Sequence, residues 1–109
     1  MSTATLTKPL HEMHAVEMAA AIRDGAITPI EIANALLERI AKYDGAIKSF
    51  SALDRGTVLI EAEALTEEAK AGKFRGPFHG VPFGVKEQFT VAGLPTLGVR
   101  RRGQRDAAP

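Results

Sequence analysis

The sequence predicts an α/β chain in which about three helices precede one or two strands. Two observations carry this. Apolar residues recur at helical spacing in three stretches before residue 72, each bounded by capping or terminating residues. After Gly76 the period changes to two, with Val81, Phe83 and Val85 on one face and Pro82, Gly84 and Lys86 on the other.

The first helix is expected from about His14 to Asp24, with Ala15, Met18, Ala19 and Ile22 as its inner stripe and Gly25 as its stop. The second has the clearest start. Thr28 can cap it, Pro29 suits the first helical position, and Glu31 completes a Thr-x-x-Glu capping box. Ala33, Leu36, Leu37 and Ile40 make its apolar face, and Glu38 and Lys42 form an i, i+4 pair. Asp44-Gly45 then marks a turn, and Ile47 to Leu53 reads as a short strand or extended segment. A third helix is expected from about Thr57 to Ala71, with Val58, Ala62, Leu65 and Ala69 facing inward and Gly72 ending it.

The 109 residues allow one domain at most. There is no cysteine, which excludes a disulfide framework, a thiolate metal site and a cysteine nucleophile. No apolar run approaches the roughly 20 residues that span a bilayer. The opening MSTATLTKPLHEMH lacks a basic start followed by an apolar core, so no signal peptide is expected and a cytoplasmic location is the default. Charge is uneven. Residues 1–99 carry 10 basic and 12 acidic side chains, whereas residues 100–109 carry four arginines and one aspartate. That basic tail is expected to be a disordered, solvated end. It contains no aromatic residue, which disfavours nucleic acid as a partner.

The most informative stretch runs from Gly76 to Gly98, GPFHGVPFGVKEQFTVAGLPTLG. Six of the ten glycines and three of the six prolines fall between Gly72 and Gly98. The backbone is expected to bend tightly around an apolar strand that carries Lys86 on its small-residue face. Read by itself, a lysine at a strand end snorkels to water. The functional alternative requires Lys86 to be buried beside a nucleophile, where desolvation disfavours the ammonium and leaves an amine able to accept a proton. Glu87 follows it but points away on a strand. His79 is expected to order its loop by hydrogen bonding. His11 and His14 could share a helix face, but no third metal ligand is evident, and no cofactor is expected. The glycines fit neither a Walker A loop nor a dinucleotide fingerprint.

GPFHGVPFGVKEQFTVAGLPT resembles the lysine-containing segment of the amidase signature family. The upstream order also resembles that family's N-terminal opening: a short helix ending in glycine, Ile-Thr-Pro-Ile-Glu, then a helix with Leu-Leu-Glu-Arg-Ile. The resemblance covers roughly residues 10 to 98. It implies that residues 1–99 are the incomplete N-terminal part of an amidase signature domain, the strands after the three helices belonging to a mixed sheet, with 100–109 as the tail. It further implies amide hydrolysis by a Ser-cisSer-Lys system on a small-molecule amide, with Lys86 as general base. The family's two serines lie in a later glycine- and serine-rich segment. Ser2, Ser49 and Ser51 have no such context, so the chain is expected to be inactive alone. Glu87 stands where the family has aspartate, and the likeness stops after Val99, which suggests a truncated or frame-shifted product. The alternatives are a non-catalytic interaction protein using the basic tail and a fragment similar to the amidase-like component of an amidotransferase. Uncovered apolar surface makes self-association a further expectation.

Overall fold

The computed structural model describes residues 8–86, 89, 91 and 92, and the backbone of 95–96 and 106–107. Glu87, Gly93, Gly98, Ser2 and the arginines of the tail lie outside these residues. A 3-10 turn at Leu10–Glu12 leads into α1 (Ala15–Arg23), α2 (Pro29–Ile47) and α3 (Arg55–Lys70). Two-residue strands β1 (Pro95–Thr96) and β2 (Asp106–Ala107) pair antiparallel, Pro95 opposite Ala107 and Thr96 opposite Asp106.

The helix starts follow the local chemistry. His14 caps α1 in extended backbone, and its amide donates to the Glu17 carboxylate at 2.9 Å. Thr28 caps α2: its Oγ1 accepts from the Glu31 amide at 3.3 Å and donates to Glu31 Oε1 at 2.9 Å. Pro29 occupies the first position, where the missing N–H has no intrahelical partner to lose. Asp54 caps α3 by accepting from the Thr57 amide at 3.1 Å. The stops also follow: Gly25 and Gly72 adopt φ +76° and +74°, a region that a Cβ penalises.

Three expectations are not met. The turn at Asp44-Gly45 is absent, because α2 continues to Ile47. It ends instead at Lys48, which is left-handed (φ 57°, ψ 45°) and donates its amide to the Asp44 carbonyl. Asp44 then accepts the Ser49 amide on its side chain at 2.7 Å, so the residue that signals a turn in the sequence closes the helix C-terminus. The strand expected over Ile47–Leu53 is therefore a helix end followed by an irregular connection. The strand expected near Lys86 is not shown either. Residues 81–86 belong to no ladder, since the three helices offer no row of backbone partners.

Met18, Ala21, Ile22, Ile27 and Ile32 form the core cluster, with Leu10, Met13, Leu36, Ala69 and Val81 packed on it. α2 packs against α3 and against the 3-10 turn. Of the expected inner faces, Met18, Ala19, Ile22, Ala33, Leu37 and Ala62 are buried, whereas Ala15 is exposed. Ile32, at 0% exposure, is the centre of the core, although the sequence reading does not single it out. Lys42 sends its ammonium to 5.3 Å from the Tyr43 ring rather than into the expected pair with Glu38.

The α2–α3 contact has a polar lock inside it. Thr66 is buried on α3; its hydroxyl accepts the Ile30 amide at 3.0 Å and donates to the Ala62 carbonyl at 2.8 Å. Ile30 lies in the first turn of α2, where backbone N–H groups have no helical acceptor. One hydroxyl thus satisfies an orphan donor and fixes the register of two helices. Replacing Thr66 by Val keeps the shape and removes the acceptor of that half-buried amide, so Thr66→Val should destabilise the fold by about 1–3 kcal/mol. Urea unfolding followed by helical circular dichroism measures it, and an unchanged midpoint would show that the lock is dispensable.

Three carboxylates sit below the usual carboxylate range. Glu17 is lowered chiefly by its hydrogen bond from Lys8. Asp54 is lowered by the Thr57 amide, and Glu68 by the Arg75 guanidinium. Each holds its proton more weakly in the folded chain than in the unfolded one. Their stabilisation is therefore complete above the ordinary carboxylate pKa of about 4 and is lost as pH falls through the lowered values. The thermal midpoint should stay level from neutral pH to about pH 5 and fall below about pH 4. Added salt should shrink the Lys8–Glu17 and Arg75–Glu68 contributions, because both pairs are solvent-accessible.

Candidate functional site

The segment leading to Lys86 leaves α3 through a sequence of tight turns. Gly72 donates to the Ala69 carbonyl at 3.0 Å and Lys73 to the Glu68 carbonyl at 2.8 Å, closing the helix. Arg75 then reaches back to Glu68 with two parallel bonds, Nε to Oε1 and Nη2 to Oε2, both 2.7 Å. This fork holds the chain against the last turns of α3 with a defined orientation that a single-point ion pair would lack.

His79 is the anchor of the segment. It is 6% exposed, and both ring nitrogens are engaged. Nδ1 accepts the Arg75 amide at 3.0 Å, and Nε2 lies 2.8 Å from the Leu65 carbonyl. An amide can only donate and a carbonyl can only accept, so the imidazole is the neutral tautomer with its proton on Nε2. The Phe74 ring meets it edge to face with centroids 5.5 Å apart. His79 thus orders its loop by hydrogen bonding, as its sequence context implies. Both ring nitrogens are occupied in that task.

Gly80 completes the mount. Its φ is +82°, and a Cβ there would stand 2.5 Å from Pro29 Cγ and 3.2 Å from Ile22 Cδ1. The backbone passes this close to α1 and α2 only because no side chain intervenes. Arg23 adds a 3.4 Å bond from Nη2 to the Pro77 carbonyl, and Val81 seats on the core cluster. The loop is therefore fastened to all three helices: to α1 by Arg23 and Ile22, to α2 by Pro29, and to α3 by Glu68 and Leu65.

Beyond Val81 the chain leaves this support. Pro82 to Lys86 is exposed, Lys86 included, and the Lys86 carbonyl accepts the Phe89 amide at 3.0 Å. Among the described residues nothing buries the ammonium. No serine hydroxyl among the described residues bonds to it. Ser49 and Ser51 lie in the α2–α3 connection, before the start of α3. The 16 residues of that helix alone span roughly 24 Å. His11 lies in the 3-10 turn, and His14 caps α1 with its ring largely in solvent. Among the described residues no group of three His, Asp or Glu side chains could hold a metal ion. No helix of the described residues is long and apolar enough to cross a membrane.

Sequence reasoning identifies Lys86, His79 and the turn-rich segment, and misses Thr66, Glu68, Arg75 and Arg23. Thr66 has a signal: it follows Ala62 by four residues and so shares its inward stripe. The Glu68–Arg75 pair has none, because it joins a helix to a loop folded back upon it.

The family model for amidases matches residues 31–100, which include most of the second helix, the third helix, the loop anchored by His79, and Lys86. The chain is 39% identical over 87 residues to an acylamidase of Rhodococcus erythropolis, covering 80% of this chain and 18% of that protein. It is 36% identical over 85 residues to a glutamyl-tRNA(Gln) amidotransferase subunit of Streptomyces coelicolor, covering 78% of this chain and 17% of the relative. The corresponding subunit of Thermobifida fusca is 37% identical over 92 residues, 84% of this chain and 18% of its own length. The chain thus spans less than one fifth of the length of these relatives. A match running through both the helical scaffold and the lysine-bearing segment establishes that this chain belongs to the amidase family.

Proposed function

We propose that this chain is the lysine-bearing N-terminal portion of an amide-hydrolysing domain, with Lys86 as the general base of a Ser-cisSer-Lys system. The observation that carries the reading is the family match through GPFHGVPFGVKEQFTVAGLPT, together with the rigid mount beneath it. In such a system a serine hydroxyl attacks the amide carbon. Its proton passes through the second serine to the lysine amine, which later returns a proton to the leaving amine. The amine can accept a proton only when desolvated, which requires the remainder of the domain to cover Lys86. The same covering would give residues 81–86 a neighbouring strand and make them part of a sheet.

Both serines are absent from this segment of the chain, so the isolated 109 residues are proposed to be inactive. Residues that share a proton relay act as a unit, and the lysine alone retains almost nothing of the acceleration. The substrate class is a small-molecule amide, by similarity to the acylamidase. The likeness to the glutamyl-tRNA(Gln) amidotransferase relatives supports a second reading, in which the same chemistry serves an amidotransferase. A Ser-cisSer-Lys system completes hydrolysis with acid–base and nucleophilic groups alone, so no cofactor is proposed.

Two measurements test the role of Lys86. Purified chain should give no turnover of aryl or aliphatic amides; turnover that disappears in Lys86→Ala would refute the proposed inactivity. The matching segment of the Rhodococcus erythropolis acylamidase can also be replaced by this chain. In that chimera Lys86→Ala should lower kcat by at least about 10²–10⁴ with folding retained. Near-normal kcat in the variant would remove Lys86 from the mechanism.

A further inference from the structure

One face of α2 carries a side-chain cluster in which the lysine-bearing segment takes no part. Ala35, Glu38, Arg39, Lys42 and Tyr43 follow one another at the spacing of a single helical stripe. With His11 of the 3-10 turn they line a shallow, open pocket of about 210 Å³. α2 packs against that turn, so the pocket lies where two elements meet.

Two cations converge on the aromatic ring of this pocket. The Arg39 guanidinium carbon lies 4.9 Å from the Tyr43 ring centroid and the Lys42 ammonium 5.3 Å. Like charges three residues apart on a helix repel, and Glu38 stands one turn before Lys42, yet both cations gather at the ring. The ring's electron-rich face holds them there. It offers their N–H groups no oxygen or nitrogen acceptor, so Arg39 keeps its planar donor fork and Lys42 its three donors. Among the described residues neither cation joins an ion pair. His11 completes the rim, with its Nε2 4.0 Å from the Glu12 carboxylate.

The charge of the lining selects the ligand. Arg39 and Lys42 bring two positive charges and Glu38 one negative, so the lining matches a monoanion and disfavours a dianion. A planar carboxylate fits the guanidinium fork. Ala35 and the Tyr43 ring add apolar surface beside it. We infer that this face of α2 binds a small monocarboxylate with a compact apolar body, its carboxylate on Arg39 and Lys42 and its body against Tyr43. The inference does not draw on the amidase reading, because no residue of the lysine-bearing segment lines the pocket.

Benzoate is the probe, titrated into the full chain at constant ionic strength and followed by two-dimensional NMR. Saturable shifts are expected at the Arg39 Nε–H and at the backbone amides of 38–43. Benzyl alcohol keeps the body without the charge and should not saturate. Phenyl phosphate keeps the body and is close to a dianion at about pH 8. It should bind at least about threefold more weakly than benzoate, and Glu38→Gln should remove that difference. Arg39→Gln and Lys42→Gln should each weaken benzoate binding about fivefold with helical circular dichroism unchanged. Both positions are exposed, and should one variant unfold, the other decides. Shifts that chloride reproduces, shifts that never saturate, or an affinity indifferent to the glutamines overturn the inference. Phenyl phosphate binding to the unsubstituted chain as tightly as benzoate also overturns it, because the lining charge would then not select the ligand.

Discussion

The imidazole of His79 joins two places that the backbone would otherwise leave apart, the end of α3 and the loop that follows it. It takes the Arg75 amide on one nitrogen and faces the Leu65 carbonyl with the other. Because the ring is buried, its nitrogens have little access to water, and losing one bond would leave a buried ring nitrogen unmatched. The position of everything downstream follows from this. With the ring seated, Gly80 lies against Pro29 and Ile22, and Val81 reaches the core. The direction in which the chain leaves the helices toward Lys86 is then set by packed backbone.

The scaffold beneath is assembled by similar means. Thr66 uses one hydroxyl to satisfy the Ile30 amide and to bond its own helix. Among the described residues no buried side-chain nitrogen or oxygen is left without a partner. This economy matters in a small unit, where the apolar core of Met18, Ala21, Ile22, Ile27 and Ile32 is modest and an unsatisfied group would weigh heavily against it. The outward side shows the opposite economy: large aromatic area stands in water around Lys86.

Much of the helical fold is legible in the sequence because its signals are local. Thr28-Pro29-x-Glu31 caps α2 through contacts within four residues, and Gly25 and Gly72 stop helices through their own φ angles. Asp44-Gly45 shows the limit of such signals. Asp44 has one side chain and one carbonyl, and both can serve either a turn or a helix C-terminus; the left-handed Lys48 selects the second. The strand expected at Ile47–Leu53 is lost with that choice. The alternation of Val81, Phe83 and Val85 reads as a strand, but a strand needs a neighbour, and residues 81–86 belong to no ladder.

From its sequence alone, this protein's family, its three helices, the lysine-bearing motif and the ordering role of His79 can be read, since each is written in residues close together along the chain. Only the tertiary structure decided that Thr66 and Ile32 lie at the centre of the packing and that Arg75 grips Glu68. It also decided that Gly80 has no room for a side chain and that Lys86 with its neighbouring phenylalanines faces solvent. The reason is distance along the chain. Thr66 meets Ile30 across 36 residues and Arg23 meets Pro77 across 54. Which group a side chain will find at such separation is set by how the helices pack, and no local pattern encodes it.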